Sequence, residues 1–381
     1  MIHRIGIDIS RTLGQPGGVG LFADRFVRAL VRVDTTNRYT LYPFFWFCHP
    51  PDYRQAFKPK TRNFRLHDQN RSFETLRRRW SGEDLPPREL LGPVELLHSP
   101  GYTAPYVPGI RLCVTIHDMS FLTHPHFHTE ENRKFCMVQS LRAARLADAI
   151  LCDSQSTADD VRRYLHVPLD RLFVIPGAAG PEFRRLEDSQ AIALTLLRLG
   201  ITENFLLFVG SVEPRKNLSA LIEAFARLKL GSQRPEWLVI AGGTGWKNEQ
   251  IYERVRELKL EHAVRFLGYL PVEDLVVLYN ACRAFVYPSL YEGFGLPVLE
   301  AMSCGAPVVS SGVSSLPEVA GDAALLIDPH DGDALVEAME AVLDDAGLRA
   351  TLRAKGVEQA SRFSWEQTAR LTVEVYQRFL S

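Results

Sequence analysis

The sequence lacks the features of membrane-spanning, secreted and disulfide-bonded proteins. No apolar run approaches the ~20 residues that a membrane-spanning helix needs. The stretch from Met1 to Asp8 is too short and too polar for a secretory signal peptide. The six cysteines are scattered without the Cys-x-x-Cys spacing of redox or metal sites. We therefore expect reduced core cysteines in a cytoplasmic protein, attached at most to the inner face of the cell membrane.

The chain also lacks an excess of charge of either sign. Lys and Arg number 44 against 45 Asp and Glu, so the net charge is -1. A general nucleic-acid-binding protein is more often basic overall, so we expect no nucleic-acid partner. The 381 residues, 46% of them hydrophobic, are enough for two domains with full cores at ~100–200 residues per domain.

Apolar runs typical of buried strands recur along the chain and alternate with helical patterns. These runs cover residues 5–9, 39–47, 94–98, 111–116, 149–152, 172–177, 205–210, 237–243, 264–270, 284–288 and 306–310. Such alternation predicts an α/β fold with doubly wound parallel sheets. A stretch of Gly, Pro and charged residues from Ala178 to Ser189 indicates a connection between domains. We expect domains at 1–180 and 190–362, followed by an amphipathic helix within 363–381.

The stretch from Tyr291 to Glu300 follows a predicted strand and contains two glycines before a helix that begins near Leu296. Uncovered backbone amides and the helix dipole make such a start an anion site. Gly293, Phe294, Gly295 and Leu296 are therefore candidate phosphate-binding residues, and Glu292 lies in the loop beside them. Glu300 is a candidate to bind two neighbouring hydroxyls of a ligand, since a carboxylate accepts from two neighbouring O–H groups. The alternative is that Glu300 is an exposed helix residue without a partner.

Two adjacent cations, Arg215 and Lys216, follow the predicted strand that ends at Gly210. Cations at the carboxyl end of a strand suit a diphosphate. Surface charge at a turn is the alternative. Together with the glycine-rich helix start at 293–295, the two cations would form one anion-binding site.

A glycine-rich loop from Gly14 to Gly20 lies between the first predicted strand and the first predicted helix. This layout lets backbone amides approach a phosphate, and Gly17 and Gly18 are the candidates. The loop fits neither the GxGxxG dinucleotide fingerprint nor a Walker loop. A flexible loop that only turns the chain is an equal alternative.

His117 follows the predicted strand at 111–116, at the strand end where ligands gather in open α/β sheets. It is therefore a candidate catalytic residue. The alternative is a loop histidine that caps a neighbouring backbone group.

Residues 51–80 are locally basic, with nine Lys or Arg against three acidic residues and interleaved aromatics. Such a segment can rest on anionic lipid, so residues 54–80 are a candidate for peripheral membrane contact. A solvated helix face with core aromatics is the other interpretation.

Several of these stretches together resemble the signature of retaining, GT-B-fold glycosyltransferases of family 4. The resemblance spans roughly residues 4 to 380 and rests on the Glu-x7-Glu stretch at 292–300 and on residues 209–217, 241–243 and 314–318. It implies two Rossmann-like domains with an interdomain cleft and a C-terminal helix that crosses back to the first domain.

The resemblance also implies roles for individual residues. Lys216 matches the family's diphosphate-binding lysine, and His117 would face the transferred sugar. Ser211 stands after the strand glycine Gly210, where many members have an arginine that Arg215 would replace. The remaining implied donor-binding positions are Gly17 and Gly18 at the diphosphate, Gly242 and Gly243 against the nucleotide, and Gly210 and Ser211. Glu292 would hold the sugar hydroxyls, Glu300 would hold the ribose hydroxyls, and the phosphate would lie at Gly293, Phe294, Gly295 and Leu296. The predicted catalytic set is His117, Glu292, Lys216 and Arg215.

The predicted reaction moves a sugar from a nucleotide-sugar to a hydroxyl of a glycan or lipid-linked saccharide, with retention and without a cofactor or essential metal. The Asp-x-Asp pattern at Asp331 opens a helix, so we expect a cap there. Residues 213–217 and 314–322 resemble bacterial mannosyltransferases of polysaccharide assembly, which favours GDP-mannose as donor. UDP-glucose or a UDP-N-acetylhexosamine is the alternative donor. A sugar-nucleotide epimerase and a non-catalytic nucleotide-sugar-binding protein remain alternatives; a phosphorylase would need a pyridoxal-phosphate lysine site, which we do not find.

Overall fold

The structure is a computed structural model that describes residues 1–13, 18–43, 57–67, 91–103, 106–201, 204–230 and 236–381. The chain forms two compact units. The first contains Met1–Thr123, Glu130–Gly177 and Ser364–Ser381, and the second contains His124–Thr129 and Ala178–Phe363. Within the described ranges, none of the helices combines the length and the apolar character needed to cross a bilayer.

The first unit is built on a parallel sheet in the order β3-β2-β1-β4-β5-β6-β7. Its strands are β1 (Arg4–Asp8), β2 (Arg38–Tyr42), β3 (Phe64–Leu66), β4 (Leu96–Ser99), β5 (Arg111–Ile116), β6 (Ala149–Cys152) and β7 (Leu172–Val174). The central strands are buried along almost their whole length, as expected for a sheet covered on both faces.

Helices of the first unit come from both ends of the chain. They are α1 (Gly18–Val33), α2 (Ser120–Thr123), α3 (Glu130–Leu146), α4 (Gln155–Leu165) and α13 (Trp365–Leu380). Helix α13 packs on α1, where the ring of Trp365 meets that of Phe22 edge-on at 5.2 Å. Thr368 in the same helix donates to the carbonyl of Pro176 at 2.6 Å. The C-terminal helix is thus part of the first unit.

The second unit has its own parallel sheet in the order β10-β9-β8-β11-β12-β13. Its strands are β8 (Phe205–Val209), β9 (Trp237–Ala241), β10 (Val264–Gly268), β11 (Ala284–Tyr287), β12 (Val308–Ser311) and β13 (Ala324–Ile327). Its helices are α5 (Ser189–Leu199), α6 (Leu218–Leu230), α7 (Glu249–Glu257), α8 (Val272–Ala281), α9 (Leu296–Ser303), α10 (Leu316–Ala320), α11 (Gly332–Asp344) and α12 (Ala346–Ser361).

Two doubly wound parallel sheets confirm the predicted fold class. The predicted helix start at Leu296 is also confirmed. Asp331 caps α11 by accepting from the amides of Asp333 and Ala334, so the capping interpretation of the Asp-x-Asp pattern is correct. The five cysteines within the described ranges are free and buried, and Cys48 lies outside those ranges.

Candidate active site

The second unit brings the predicted cations and Glu292 together at the carboxyl edge of its sheet. Strand β8 pairs with β11, so the segments that follow these strands run side by side. A short 3-10 helix, Pro214–Lys216, carries the two cations. The amide of Leu290, after β11, donates to the carbonyl of Arg215 at 2.8 Å. A backbone hydrogen bond therefore fixes the two segments to each other.

Glu292 is the hub of this cluster. Its Oε1 accepts from Lys216 Nζ at 2.6 Å, Ser289 Oγ at 2.5 Å and Tyr287 O–H at 3.0 Å. Its Oε2 lies 2.9 Å from Arg215 Nη1. Burial alone would raise the pKa of Glu292, but the charges of Arg215 and Lys216 and these hydrogen bonds lower it to about 2. Glu292 is therefore a carboxylate at neutral pH.

Both cations are held by further contacts. Arg215 donates to Glu213 Oε1 at 2.6 Å and to the carbonyl of Tyr291 at 2.9 Å. Lys216 Nζ donates to the hydroxyl of Tyr287 at 2.5 Å, and its side chain is 8% exposed. Burial and the neighbouring Arg215 lower the pKa of Lys216, while Glu292 and Glu213 oppose that shift. Two buried carboxylates thus balance two cations and fix their positions.

Helix α9 begins beside this cluster, and its N-cap residue Gly295 adopts φ 113°. A Cβ there would lie 2.7 Å from Leu316 Cδ2, so only glycine fits without a shift. The carbonyl of Phe294 accepts from Ser315 Oγ at 2.7 Å, which fixes the turn. Within the part of the chain that the structure describes, the amides of Phe294, Gly295 and Leu296 donate no hydrogen bond. These amides and the helix dipole form an anion-binding group.

Glu300 is half-buried in α9 and accepts from the hydroxyl of Tyr279 at 3.3 Å. The alternative that it is an exposed glutamate without a partner is therefore wrong. Its carboxylate lies one helical turn beyond the glycine-rich start.

The glycines after β8 and β9 pack against each other. Gly210 donates to the carbonyl of Ala241 at 2.9 Å, and Val212 donates to that of Gly243 at 3.0 Å. A Cβ on Gly242 would lie 1.9 Å from the carbonyl oxygen of Gly210. Gly242 is therefore required for close backbone approach, whether or not it meets a ligand.

Ser211 and Gly243, unlike Gly210 and Gly242, are not enclosed by neighbouring protein atoms. Ser211 is exposed at the carboxyl end of β8. A Cβ on Gly243 would meet nothing within 4 Å.

His117, at the carboxyl end of β5, is buried in the first unit. Its Nδ1 lies 2.6 Å from Asp153 Oδ2, and its Nε2 lies 2.9 Å from the carbonyl oxygen of Pro100. Burial lowers the pKa of His117, but the charge and hydrogen bond of Asp153 outweigh it, so the pKa is raised. Both ring nitrogens thus meet protein acceptors, and the contact with Pro100 matches the alternative of a histidine that binds a neighbouring backbone group.

Two other polar residues at the carboxyl edge of the first unit's sheet were not identified from the sequence. Asp8, at the end of β1, accepts from the amide and hydroxyl of Ser10 at 2.8 and 2.5 Å, and burial raises its pKa. Ser99, at the end of β4, donates to Asp8 at 3.3 Å. The sequence pattern that could have identified Asp8 was a carboxylate at the end of the first buried strand.

Some predicted positions fall at or beyond the limits of the described residues. Gly18 is the exposed first residue of α1, whereas Gly17 lies outside the described residues. Of the predicted membrane segment 54–80, the structure describes only 57–67. Within the described ranges, no group of three or more His, Cys, Asp or Glu could hold a metal ion.

The segment His124–Thr129 leaves the first unit and packs in the second, which the sequence did not predict. This segment is called the excursion below. This segment belongs to the second unit, where Trp246 Nε1 donates to the carbonyl of Phe127 and Lys247 Nζ to that of His126. The ring of His124 lies 5.2 Å from that of Tyr291, next to Glu292. The excursion therefore packs beside the cation cluster.

Comparison with known proteins places the chain in a family. The model for Glycosyltransferase Family 4 matches residues 16–182, and that for Glycosyl transferases group 1 matches residues 198–359. The chain is 36% identical over 284 residues to the O-antigen chain mannosyltransferase B of Escherichia coli, an alignment that covers 74% of each protein. It is 36% identical over 293 residues to the Escherichia coli serotype-specific mannosyltransferase WbdA, with 74% of this chain and 36% of that relative covered.

The fold agrees with these matches. The sucrose-phosphate synthase from Thermosynechococcus elongatus superposes with a TM-score of 0.74 at 20% identity, over 99% of each chain. Two family models matched in succession, the identity to the curated relatives and the two parallel sheets all agree with the resemblance in the sequence. This chain belongs to glycosyltransferase family 4 and has the GT-B fold.

Proposed function

We propose that this glycosyltransferase is a retaining mannosyltransferase that uses GDP-mannose and acts on a hydroxyl of a glycan or lipid-linked saccharide. The observation that carries the proposal is the buried cluster of Arg215, Lys216 and Glu292 beside the unbonded amides at the start of α9. The choice of mannose is supported by the two Escherichia coli relatives, which are mannosyltransferases.

The diphosphate of the donor would bind Arg215, Lys216 and the amides of Phe294, Gly295 and Leu296. Lys216 has three N–H donors, and Tyr287 and Glu292 accept from Nζ. A further donor therefore remains for a phosphate oxygen. Positive groups fixed in advance stabilise the charge that develops on a departing diphosphate without reorganising during the reaction.

Glu292 would position these cations and contact the sugar. Its Oε1 is fully engaged by Lys216, Tyr287 and Ser289. Its Oε2 forms an ion pair with Arg215 and would accept from a sugar hydroxyl. Because Glu292 is anchored in this way, we do not assign it the role of a covalent nucleophile.

Glu300 would accept hydrogen bonds from the ribose hydroxyls of the nucleotide. It lies on the same helix whose start would hold the phosphates, one turn further along. Gly243, with open space around it, would lie against the nucleotide.

In the proposed reaction, the bond between the anomeric carbon and the diphosphate oxygen breaks. The acceptor oxygen bonds to that carbon on the same face, and its proton passes to an oxygen of the departing diphosphate. Retention of configuration follows from this geometry. Arg215, Lys216 and the α9 amides would supply the positive charge, so we propose that no divalent cation is needed, and EDTA should leave the rate unchanged.

The donor is tested by thermal-shift measurements with a panel of GDP- and UDP-sugars, followed by transfer assays with the best binder. We expect GDP-mannose to give the largest stabilisation, and NMR of the product to show the anomeric configuration of the donor. Larger stabilisation by a UDP-sugar would contradict the donor. Consumption of the sugar nucleotide without an acceptor would indicate an epimerase, and binding without turnover of any acceptor would indicate a non-catalytic protein.

The phosphate-binding role is tested by Lys216→Ala. We expect kcat/KM to fall by about 10²–10³-fold, as for removal of one charge-stabilising donor elsewhere. Lys355→Ala is the matched control, because Lys355 is exposed and its ion pair, among the described residues, is with Asp322. A Lys216→Ala variant that folds and turns over near the wild-type rate would show that the diphosphate binds elsewhere.

A further inference from the structure

A second cluster of cations lies in the first unit, at the amino-terminal ends of β1, β2 and β3. It surrounds a surface cavity of about 290 Å³ whose lining includes Arg4, Arg38, Arg62 and Arg65 together with Thr40 and Asn63. The cavity is at the opposite end of the strands from Asp8, Ser99 and His117. It is therefore separate from the edge where the first unit gathers its other polar residues.

The strand register places three of these arginines on one face of the sheet. Arg4 pairs with Arg38 across β1 and β2, and Thr40 pairs with Arg65 across β2 and β3. Arg38 and Thr40 are two residues apart in one strand, so their side chains lie on the same face. Like charges in register on neighbouring strands are destabilising unless an anion lies between them.

The floor of the cavity is rigid. Arg65 Nε donates to the buried Thr40 Oγ1 at 3.0 Å, which orients the guanidinium. Asn63 Nδ2 donates to the carbonyls of Asp34 and Asn37 at 2.9 and 3.0 Å. Beside it, the rings of Tyr39 and Phe64 stack at 4.3 Å. The arginines thus project from a fixed base.

The positive charge of the cavity has no carboxylate partner among the described residues. Within those ranges, no salt bridge involves Arg4, Arg38, Arg62 or Arg65. Asp34 and Glu95, which precede β2 and β4 in the chain, have other donors. Asp34 accepts from the amides of Thr36 and Asn37 and from the hydroxyl of Tyr39, whereas Glu95 accepts from the backbone amide of Arg4 at 2.8 Å.

We propose that this cavity binds a phosphate-bearing anion of the size of pyrophosphate, at a site distinct from the donor site. Planar guanidinium groups match phosphate oxygens in bidentate pairs, and three of them share one face around the cavity. The anion has two possible sources, a free phosphorylated metabolite or the headgroup of an anionic lipid. The site does not depend on the proposed transfer reaction.

The test follows the arginine Nε–H NMR signals of the full chain during titration with pyrophosphate. The Arg65 signal is assigned by its loss in Arg65→Gln, so binding at the donor site does not interfere. We expect this signal to shift and saturate, and the apparent Kd to rise about tenfold or more in Arg38→Gln. Arg162→Gln, on the exposed face of α4, is the matched control and should leave the Kd unchanged.

A second arm distinguishes the sources of the anion. Co-sedimentation is measured with vesicles of phosphatidylcholine alone and with added phosphatidylglycerol, for wild type and for the double variant Arg38→Gln/Arg65→Gln. Loss of binding to the phosphatidylglycerol vesicles in the double variant supports a lipid headgroup, whereas a pyrophosphate shift without such loss supports a free metabolite. An Arg65 signal unchanged up to ~10 mM pyrophosphate, with equal vesicle binding by both proteins, would overturn the proposal.

Discussion

At the scale of single residues, the acidic side chains of the second unit matter mainly through the cations that they hold. Glu292 and Glu213 are 7% and 2% exposed, and burying such charges is costly unless they are paired. Both pair with Arg215, and Glu292 also pairs with Lys216. The sequence interpretation assigned Glu292 to the sugar. The structure adds a positioning role that follows from the number of donors around its carboxylate.

His117 provides a test of residue-scale electrostatics. We expect its imidazole to titrate above the ordinary pKa of 6.5 in the wild type, because Asp153 stabilises the charged ring. In Asp153→Asn the pKa should fall, since burial is then opposed only by the contact with Pro100 and the charge of Asp118. The stability that this pair contributes is fully present below pH 6.5 and is lost as the pH rises through the raised pKa of the folded state.

NMR titration of the histidine ring signals measures this shift. His98 is an internal control, because burial lowers its pKa to about 3 and it should stay neutral throughout. A His117 pKa that is the same in wild type and Asp153→Asn would contradict the ion pair.

Gly242→Ala tests whether this glycine is fixed by packing. Its Cβ would lie 1.9 Å from the carbonyl oxygen of Gly210, at a backbone φ of 148°. We expect the free energy of unfolding to fall by about 2 kcal/mol or more. Gly243→Ala, with open space around it, should change stability by less than about 0.5 kcal/mol. Equal effects of the two variants in chemical denaturation would show that the close approach is not what requires glycine.

At the scale of elements, the C-terminal helix α13 is bound to the first unit by buried polar contacts as well as by Trp365. The hydroxyl of Tyr376 lies 2.5 Å from Nδ1 of His98, whose Nε2 lies 3.0 Å from Thr115 Oγ1. His98 and Tyr376 are 1% and 0% exposed. The helix therefore contributes a hydrogen-bonded group to the core of a sheet formed by residues far away in sequence.

Tyr376→Phe should lower the free energy of unfolding by about 1–3 kcal/mol, because it leaves a buried ring nitrogen without a partner. Chemical denaturation, followed by fluorescence of the first unit, measures the loss. Tyr269→Phe is the control, since Tyr269 is 81% exposed. A Tyr376→Phe variant as stable as the wild type would mean that the contact with His98 contributes nothing.

Most strands could be predicted from the sequence as apolar runs, but two strands at the sheet edges could not. The interpretation placed β5 and β6 at their observed limits, because each is a continuous apolar run with a clear end. It missed β3 and β13, which have three and four residues and lie at the sheet edges. Strand β3, Phe64–Leu66, lies in a basic segment that contains no apolar run long enough to predict a strand.

At the scale of the whole molecule, strand order decides which residues meet. Strand β8 pairs with β11 as well as with β9, its neighbour in sequence. The pairing with β11 brings residues 213–217 next to residues 289–295. The local pattern of hydrophobic residues cannot give this order, because it is set by packing between distant elements. The sequence nevertheless predicted that the two cations and the glycine-rich helix start form one anion-binding site. Neither local pattern nor resemblance indicated that His124–Thr129 belongs to the second unit.

The most direct test of the central claim is a crystal structure of the protein with intact GDP-mannose or a non-transferable analogue. We expect diphosphate oxygens within hydrogen-bonding distance, at about 3 Å, of Lys216 Nζ and of the amides of Gly295 and Leu296. Arg215 should contact the same diphosphate while Glu292 still holds both cations. A donor whose diphosphate lies away from β8 and α9, with the contacts of Arg215, Lys216 and Glu292 unchanged, would contradict the account.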